Sequence, residues 1–362
     1  MFKSQTAILP EAGPFALYTL LKVRQNHAHV LQALKALPAL VEEINQNQPG
    51  AELTVSVAFS KGFWSHFEMA SPPELIDFPE LGEGETHAPS TDVDVLIHCH
   101  ATRHDLLFYT LRKGISDIAQ DIEIVDETYG FRYLDARDMT GFIDGTENPK
   151  AEKRAEVALV ADGDFAGGSY VMVQRFVHNL PAWNRLNLAA QEKVIGRTKP
   201  DSVELENVPA ASHVGRVDIK EEGKGLKIVR HSLPYGSVSG DHGLLFIAYC
   251  HTLHNFKTML ESMYGVTDGK TDQLLRFTKD RDRGLFLCTV ASDVAGTDTQ
   301  ESIMQHCCIC FMPKPSLVLG FLIKENSLYT DKRTSKQSCK ECSSHGHDGK
   351  YQCVCAGSTA TS

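Results

Sequence analysis

Long apolar runs are missing from this sequence. No stretch approaches the roughly 20 consecutive apolar residues that a helix needs to cross a bilayer. The two best, 243–250 and 316–323, have the length of core strands. An excess of positive charge is missing too: 46 acidic against 36 basic residues leave a formal charge of −10. That balance argues against a broad nucleic-acid surface and against anionic membranes. Residues 1–14 hold no apolar signal core and carry the acidic Glu11, so the expectation is a cytoplasmic protein. Cysteine is scarce along most of the chain. Only Cys99, Cys250 and Cys288 precede residue 300, as a reduced compartment favours. The other seven crowd into the last stretch.

What is present fits a globular protein, with 42% apolar and 23% charged residues. The 362 residues exceed one average core, so two domains are expected. The pattern suggests a duplication. Residues 15–23 are rich in strand formers. Residues 26–46 place Val30, Leu34, Leu37, Val41 and Ile44 on one helical stripe. Strand patterns follow at 53–59, 92–99 and 122–128, with a Pro-, Glu- and Ser-rich loop at 71–91 and a helix over 102–118. The second half repeats the order. It has a long strand at 168–179, a helix from Pro181 to Gly196, strands at 226–232 and 244–249, a helix at 252–264 and a last strand at 284–290. Two β-α-β-β-α-β units imply an α+β fold, two ferredoxin-like halves whose antiparallel sheets carry helices on one face. The expected division is 1–145, 146–290 and a Cys-rich tail, 291–362.

Three segments are candidates for chemistry. Gly141-Phe142-Ile143-Asp144-Gly145-Thr146-Glu147-Asn148-Pro149 sits at the junction of the halves. Asp-Gly and Asn-Pro are turn dipeptides, so a plain turn explains it. A loop between rigid units is also where a carboxylate such as Asp144 is aimed into a cleft. Ser212-His213-Val214-Gly215-Arg216-Val217-Asp218 offers one imidazole with no zinc-like spacing, though a single imidazole can hold a haem iron. Ile228-Val229-Arg230-His231-Ser232-Leu233-Pro234-Tyr235-Gly236 puts Arg230 in an apolar strand, either at a solvated strand end or over a site of developing negative charge.

Together these segments resemble the dye-decolourising peroxidase (DyP-type) family, in its short cytosolic bacterial branch. Gly167-Gly168-Ser169-Tyr170 and Leu275-Arg276-Phe277-Thr278 fit the same pattern, and the likeness runs from about Gly13 to about Leu287. The resemblance implies the family's dimeric α+β barrel fold, one haem b per chain and a homo-oligomer. It implies a peroxidase that reduces hydrogen peroxide and oxidises dyes, phenols and similar small organic donors by one-electron steps. His213 would be the axial ligand of the haem iron, Asp144 the distal acid–base, and Arg230 the cation that stabilises charge and holds Asp144 or a haem propionate. Ser232 would be a small distal hydrogen-bonding group. Asp272 is a candidate partner of His213, with a plain helix-start carboxylate as the equal alternative. An ordinary aspartate ionises near about 4, so dye oxidation is expected to be fastest in acid. Trp183, Tyr170 and Tyr235 are candidate surface relays for electrons, with core packing as the plain alternative. The rival function is haem storage, delivery or iron removal, which needs His213 but neither Asp144 nor Arg230.

Other metal-like spacings are weaker. His98 and His100 share one strand face, and His251 and His254 one helix face, but neither pair has a third ligand. In the tail, Cys339-x-x-Cys342, Cys353-x-Cys355, His345 and His347 allow three readings: a poorly structured segment, a zinc site, or the end of an EGF-like module.

Overall fold

A computed structural model describes residues 4–68, 70–82 and 90–289. The readings of the Cys-rich tail fall outside these residues. The first half contains β1 (Phe15–Val23), α1 (His27–Lys35), α2 (Leu37–Asn47), β2 (Thr54–Phe59), α3 (Lys61–Trp64), β3 (Val95–Ala101), α4 (His104–Gly114) and β4 (Ile122–Phe131). After α5 (Lys153–Ala158) come β5 (Ser169–His178), α6 (Leu180–Trp183), α7 (Leu188–Ile195) and α8 (His213–Val217). A small hairpin follows, β6 (Lys220–Glu221) and β7 (Lys224–Gly225). The chain then runs through β8 (Val229–Arg230), β9 (Leu233–Gly236), β10 (His242–Cys250), α9 (Leu253–Met263) and β11 (Thr278–Cys288).

The strand order within each half is the same. It reads β2-β3-β1-β4 in the first and β11-β5-β10-β9 in the second, so the first and third strands of each unit are central. The two antiparallel sheets also join at both edges, through Leu287↔Phe59 and Gly130↔Tyr235. Eight strands thus close into a ring. Closure removes four open edges that would otherwise present unpaired backbone groups. Strand alternation then sorts the core into two sets. Leu17, Leu21, Val55, Val57, Ile97 and Met172 pack outward under the helices with Val30, Leu34, Phe256 and Leu260. Ala16, Tyr18, Leu20, Val171, Val173, Ile247 and Phe286 fill the ring. Each leucine buried this way contributes about 1.5–3 kcal/mol.

Four local expectations need correction. The 26–46 helix is two helices, because Pro38 lacks an N–H and begins a new first turn. The 181–196 helix is also two; the Asn187 side chain accepts from the Ala190 N–H and starts α7 anew. The 226–232 strand begins only at Val229. It continues into β9 in one register on β10, from Arg230↔Ala248 to Leu233↔Leu245, with a break at His231 and Ser232. The last strand begins at Thr278, six residues earlier than its apolar run, because polar residues 278–283 pair with β5 across a bulge.

Inside the ring lies a polar group that the β3 spacing places there: His98 and His100 alternate with outward-facing Ile97 and Cys99. They meet His231, with ring centroids 4.3 Å (98–100) and 5.1 Å (100–231) apart. His98 Nε2, both nitrogens of His100 and His231 Nδ1 have no protein partner. Burial lowers the basicity of all three, that of His100 to about 3. A free histidine titrates near 6.5, so above that pH both folded and unfolded chains hold these rings neutral. Below it the unfolded chain takes up protons that the fold refuses. Stability then falls as pH drops below 6.5, and His100→Leu should flatten that slope. Melting temperatures across this range test it; a flat profile, or an unchanged slope in the variant, would count against it.

Candidate functional site

His213 opens α8, and the reason is local. The Ser212 hydroxyl accepts from the Gly215 N–H and donates to the Pro209 carbonyl, capping the helix. Arg216, buried one turn on, donates to the Ser262 carbonyl and to both carboxylate oxygens of Asp268. That fastens α8 to the end of α9. Gly196, at φ +97°, ends α7 against α8; a Cβ there would lie 2.9 Å from the Ser212 hydroxyl and from Val214 Cβ. His213 therefore has a fixed seat.

Its orienting partner is Asp272. His213 Nδ1 is 2.7 Å from Asp272 Oδ2, and Asp272 is fully buried. The other oxygen, Oδ1, accepts from the Leu274 N–H, so this one carboxylate is both a helix-start cap and the histidine's partner. A backbone bond from Gln273 N–H to the Ala211 carbonyl ties the two segments together.

His213 lines a cavity of about 280 Å³. Much of its wall is apolar, from Met172 and Phe176 on β5, Leu244 and Phe246 on β10, and Met259 and Met263 on α9. Asp144 and Arg230 line the same cavity. The Asp144 loop is a compact turn: Asp138 N–H donates to the Phe142 carbonyl, Gly141 N–H to Asp138, and Asp144 N–H to Ala136. Gly145, at φ +80°, lets the chain reverse and gives its N–H to Asp144 Oδ1 at 2.6 Å. Arg230 Nη2 stands 3.9 Å from the same oxygen, within ion-pair reach but beyond a hydrogen bond.

Sequence reasoning placed Asn148 only in a turn. The structure gives it a larger part. Its side-chain oxygen accepts from the Arg230 N–H at 2.9 Å, and its NH₂ donates to the Arg230 carbonyl at 2.8 Å. This pair of hydrogen bonds between loop and strand ties the Arg230 backbone to the Asp144 loop. Asn148→Ala should cost about 1–2 kcal/mol of stability, because both backbone groups of Arg230 lose their side-chain partner. Denaturant unfolding of variant and wild type checks this; equal stabilities would mean that the two hydrogen bonds contribute nothing net.

Other cavity residues also escaped the sequence reading. His178 Nε2 is 2.9 Å from Asp138 Oδ1, and its Nδ1 is 2.8 Å from the Thr278 hydroxyl. Burial alone would raise Asp138, but the His178 charge and the Thr140 hydrogen bonds hold its carboxyl below the usual range. Arg197 pairs with Glu147 at the cavity wall. Ser232 is not among the lining residues: its hydroxyl accepts from the Ile247 N–H at the break between β8 and β9. The three candidate surface relays are all buried. Trp183 packs on Phe142 and Phe277 and donates to the Thr140 carbonyl. Tyr170 and Tyr235 sit in the sheet core. His251 and His254 turn to the Val157 carbonyl and to Glu221, and no metal-binding group of three occurs among the described residues.

The residues present suit a haem. With Nδ1 taken by Asp272, Nε2 is the His213 nitrogen left to hold an iron. The apolar walls suit a flat macrocycle, and charged groups such as Arg197, Lys227 and Arg230 share the lining with them. Comparison with known proteins agrees. Family models described as Dyp-type peroxidase, N-terminal and C-terminal, match residues 5–132 and 135–293. The dye-decolorizing peroxidase of Mycobacterium tuberculosis is 37% identical over 292 residues, covering 78% of this chain and 87% of that protein. The solved dye-decolorizing protein from V. cholerae is 95% identical, with a TM-score of 0.80, over 80% of this chain and 98% of that one. A DypB variant of Rhodococcus jostii RHA1 in complex with heme is 32% identical with a TM-score of 0.77, over 81% of this chain and 98% of that one. This chain belongs to the Dyp-type peroxidase family and is a haem peroxidase.

Proposed function

We propose that His213 is the axial ligand of haem b, that Asp144 and Arg230 form the peroxide-cleaving pair, and that the reductants are small organic donors such as dyes and phenols. The observation that carries this reading is one cavity lined by an Asp-oriented histidine and by a carboxylate–guanidinium pair. Bound haem supplies the redox centre, which takes oxidising power from hydrogen peroxide and passes it to donors one electron at a time. The protein handles protons and charge. Asp144 Oδ1 is engaged by the Gly145 N–H and faces Arg230, so Oδ2 is the oxygen that takes the proton from peroxide and returns it to the departing oxygen. The Arg230 guanidinium stabilises the negative charge that grows as the O–O bond breaks. Asp272 keeps His213 in one tautomer and orientation. Ser232 acts through the strand, by holding the Ile247 amide beside Arg230. Haem carriage would use His213 alone and leave the Asp144–Arg230 pair without a task.

We further read the protein as a cytoplasmic homo-oligomer with halves at 1–145 and 146–290. Composition supports the location and the family resemblance supports the assembly. Among the described residues, no helix is long and apolar enough to cross a membrane. The test is the absorption spectrum of the haem-loaded protein before and after one equivalent of peroxide. A rapid spectral change, reversed by a phenolic donor, is expected. A bound haem that ignores peroxide would point to haem carriage instead.

A further inference from the structure

We propose that Tyr249, hydrogen-bonded to His98 inside the ring of strands, is a redox-active tyrosine that stores one oxidising equivalent behind the wall of the peroxide site. The proposal rests on the haem reading above.

Position is the first argument. Arg230 lines the cavity, but its neighbours Val229 and His231 belong to the ring interior. Val229 pairs directly with Tyr249, as Arg230 pairs with Ala248. One strand therefore presents the cavity on one face and the tyrosine's compartment on the other. Tyr18 extends the link. Its hydroxyl donates to the His231 carbonyl, and its ring stacks on His98 with centroids 4.9 Å apart. Burial, and after it the negative charge of Asp144, hold the Tyr18 phenol protonated.

The second argument is chemical. Tyr249 is fully buried and its oxygen lies 2.6 Å from His98 Nδ1 and 2.7 Å from the Ser56 hydroxyl. The step uses the arrangement in which Ser56 donates to Tyr249 and Tyr249 donates to His98 Nδ1, which puts the ring's own proton on the unpartnered Nε2. Burial keeps this phenol protonated at any ordinary pH. Removing an electron alone would leave a phenol radical cation in a dry interior, which is costly. With His98 in place, one electron leaves Tyr249 toward the oxidised haem site, whose oxidant is hydrogen peroxide. The phenolic O–H breaks and an N–H forms on His98 Nδ1. A neutral phenoxyl radical and an imidazolium remain. Burial disfavours that imidazolium, so the proton returns to the oxygen when a donor's electron arrives by the same route. Tyr249 and His98 have no exposed surface, so external donors do not touch them. The pair stores an oxidising equivalent without exchanging it directly with donors.

The test is freeze-quench electron paramagnetic resonance on the haem-loaded full chain, with one equivalent of peroxide and no donor, and optical spectra on the same samples. Wild type should show a tyrosyl signal whose hyperfine structure collapses on ring-deuterated tyrosine. Tyr249→Phe should lose at least about tenfold of that signal, and His98→Gln, which keeps a hydrogen bond but is no base, should lose a comparable share. An undiminished signal in Tyr249→Phe overturns the proposal. So does a wild type that reacts optically but yields no tyrosyl radical. A wild type with no optical response overturns the haem reading itself, and this proposal with it. The His98→Gln protein keeps the test decisive if the tyrosine variant fails to take up haem.

Discussion

His213→Ala is expected to abolish stable haem binding while leaving the fold in place. Loss of a partner one step removed from a metal ligand already costs about 10–100-fold in affinity; losing the ligand itself should cost more. The fold should survive because the His213 side chain is 28% exposed and its one polar partner stays satisfied in part: Asp272 Oδ1 keeps the Leu274 N–H. The Ser212 cap and the Arg216–Asp268 pair that seat α8 do not involve the imidazole. Haemin titration followed at the Soret band, with circular dichroism as the control, gives the answer. Imidazole added to the variant should restore part of the affinity by occupying the vacated ligand position. A variant that binds haem as wild type does would place the ligand elsewhere, and the Asp272 contact would then be no more than a helix-start cap.

Much of this arrangement was legible in the sequence because it rests on local signals. Strand-forming patterns mark eight segments, two of them by clear period-2 alternation, and the stripe Val30, Leu34, Leu37, Val41 marks a helical face whichever side of Pro38 each residue lies on. The rule that a metal-binding imidazole needs a partner on its other nitrogen makes Asp272 one candidate, but the sequence alone does not separate that role from a plain helix-start carboxylate. What stayed hidden depends on distant segments. Closure of the ring, which only the family resemblance implies, rests on single residue pairs between halves, such as Leu287↔Phe59, about 230 positions apart. Asn148 looks like any turn residue until Arg230 lies beside it. Chemistry alone makes Trp183, Tyr170 and Tyr235 candidate relays, and the whole fold decides for their alternative, core packing. The histidine pair on β3 could be assigned to one face, but which face was sealed inside a ring needed the second sheet. That sealing sets the acid-favoured chemistry expected of a distal carboxylate against a barrel that loses stability as pH falls below 6.5.

Asp144→Ala should lower the rate of reaction with peroxide by about 10²–10⁴-fold, the usual contribution of a positioned acid–base group, with haem affinity within about twofold of wild type. Arg230→Leu should cost about 10²–10³-fold, as removal of one charge-stabilising donor does. Arg230 Nη2 approaches Asp144 Oδ1 to 3.9 Å, which leads to a sharper expectation for the double variant. Bond cleavage needs a proton returned to the departing oxygen while its negative charge is held. A cation without the acid stabilises a charge that cannot be quenched, and an acid without the cation must move its proton against a higher barrier. Residues that act as a unit give non-additive losses. The double variant should therefore be barely slower than Asp144→Ala alone, far short of the product of the two single losses. Stopped-flow traces at fixed pH on all four proteins measure this. Fully multiplicative losses would mean that Arg230 works independently, on haem or substrate binding, and that its approach to Asp144 is incidental to peroxide cleavage.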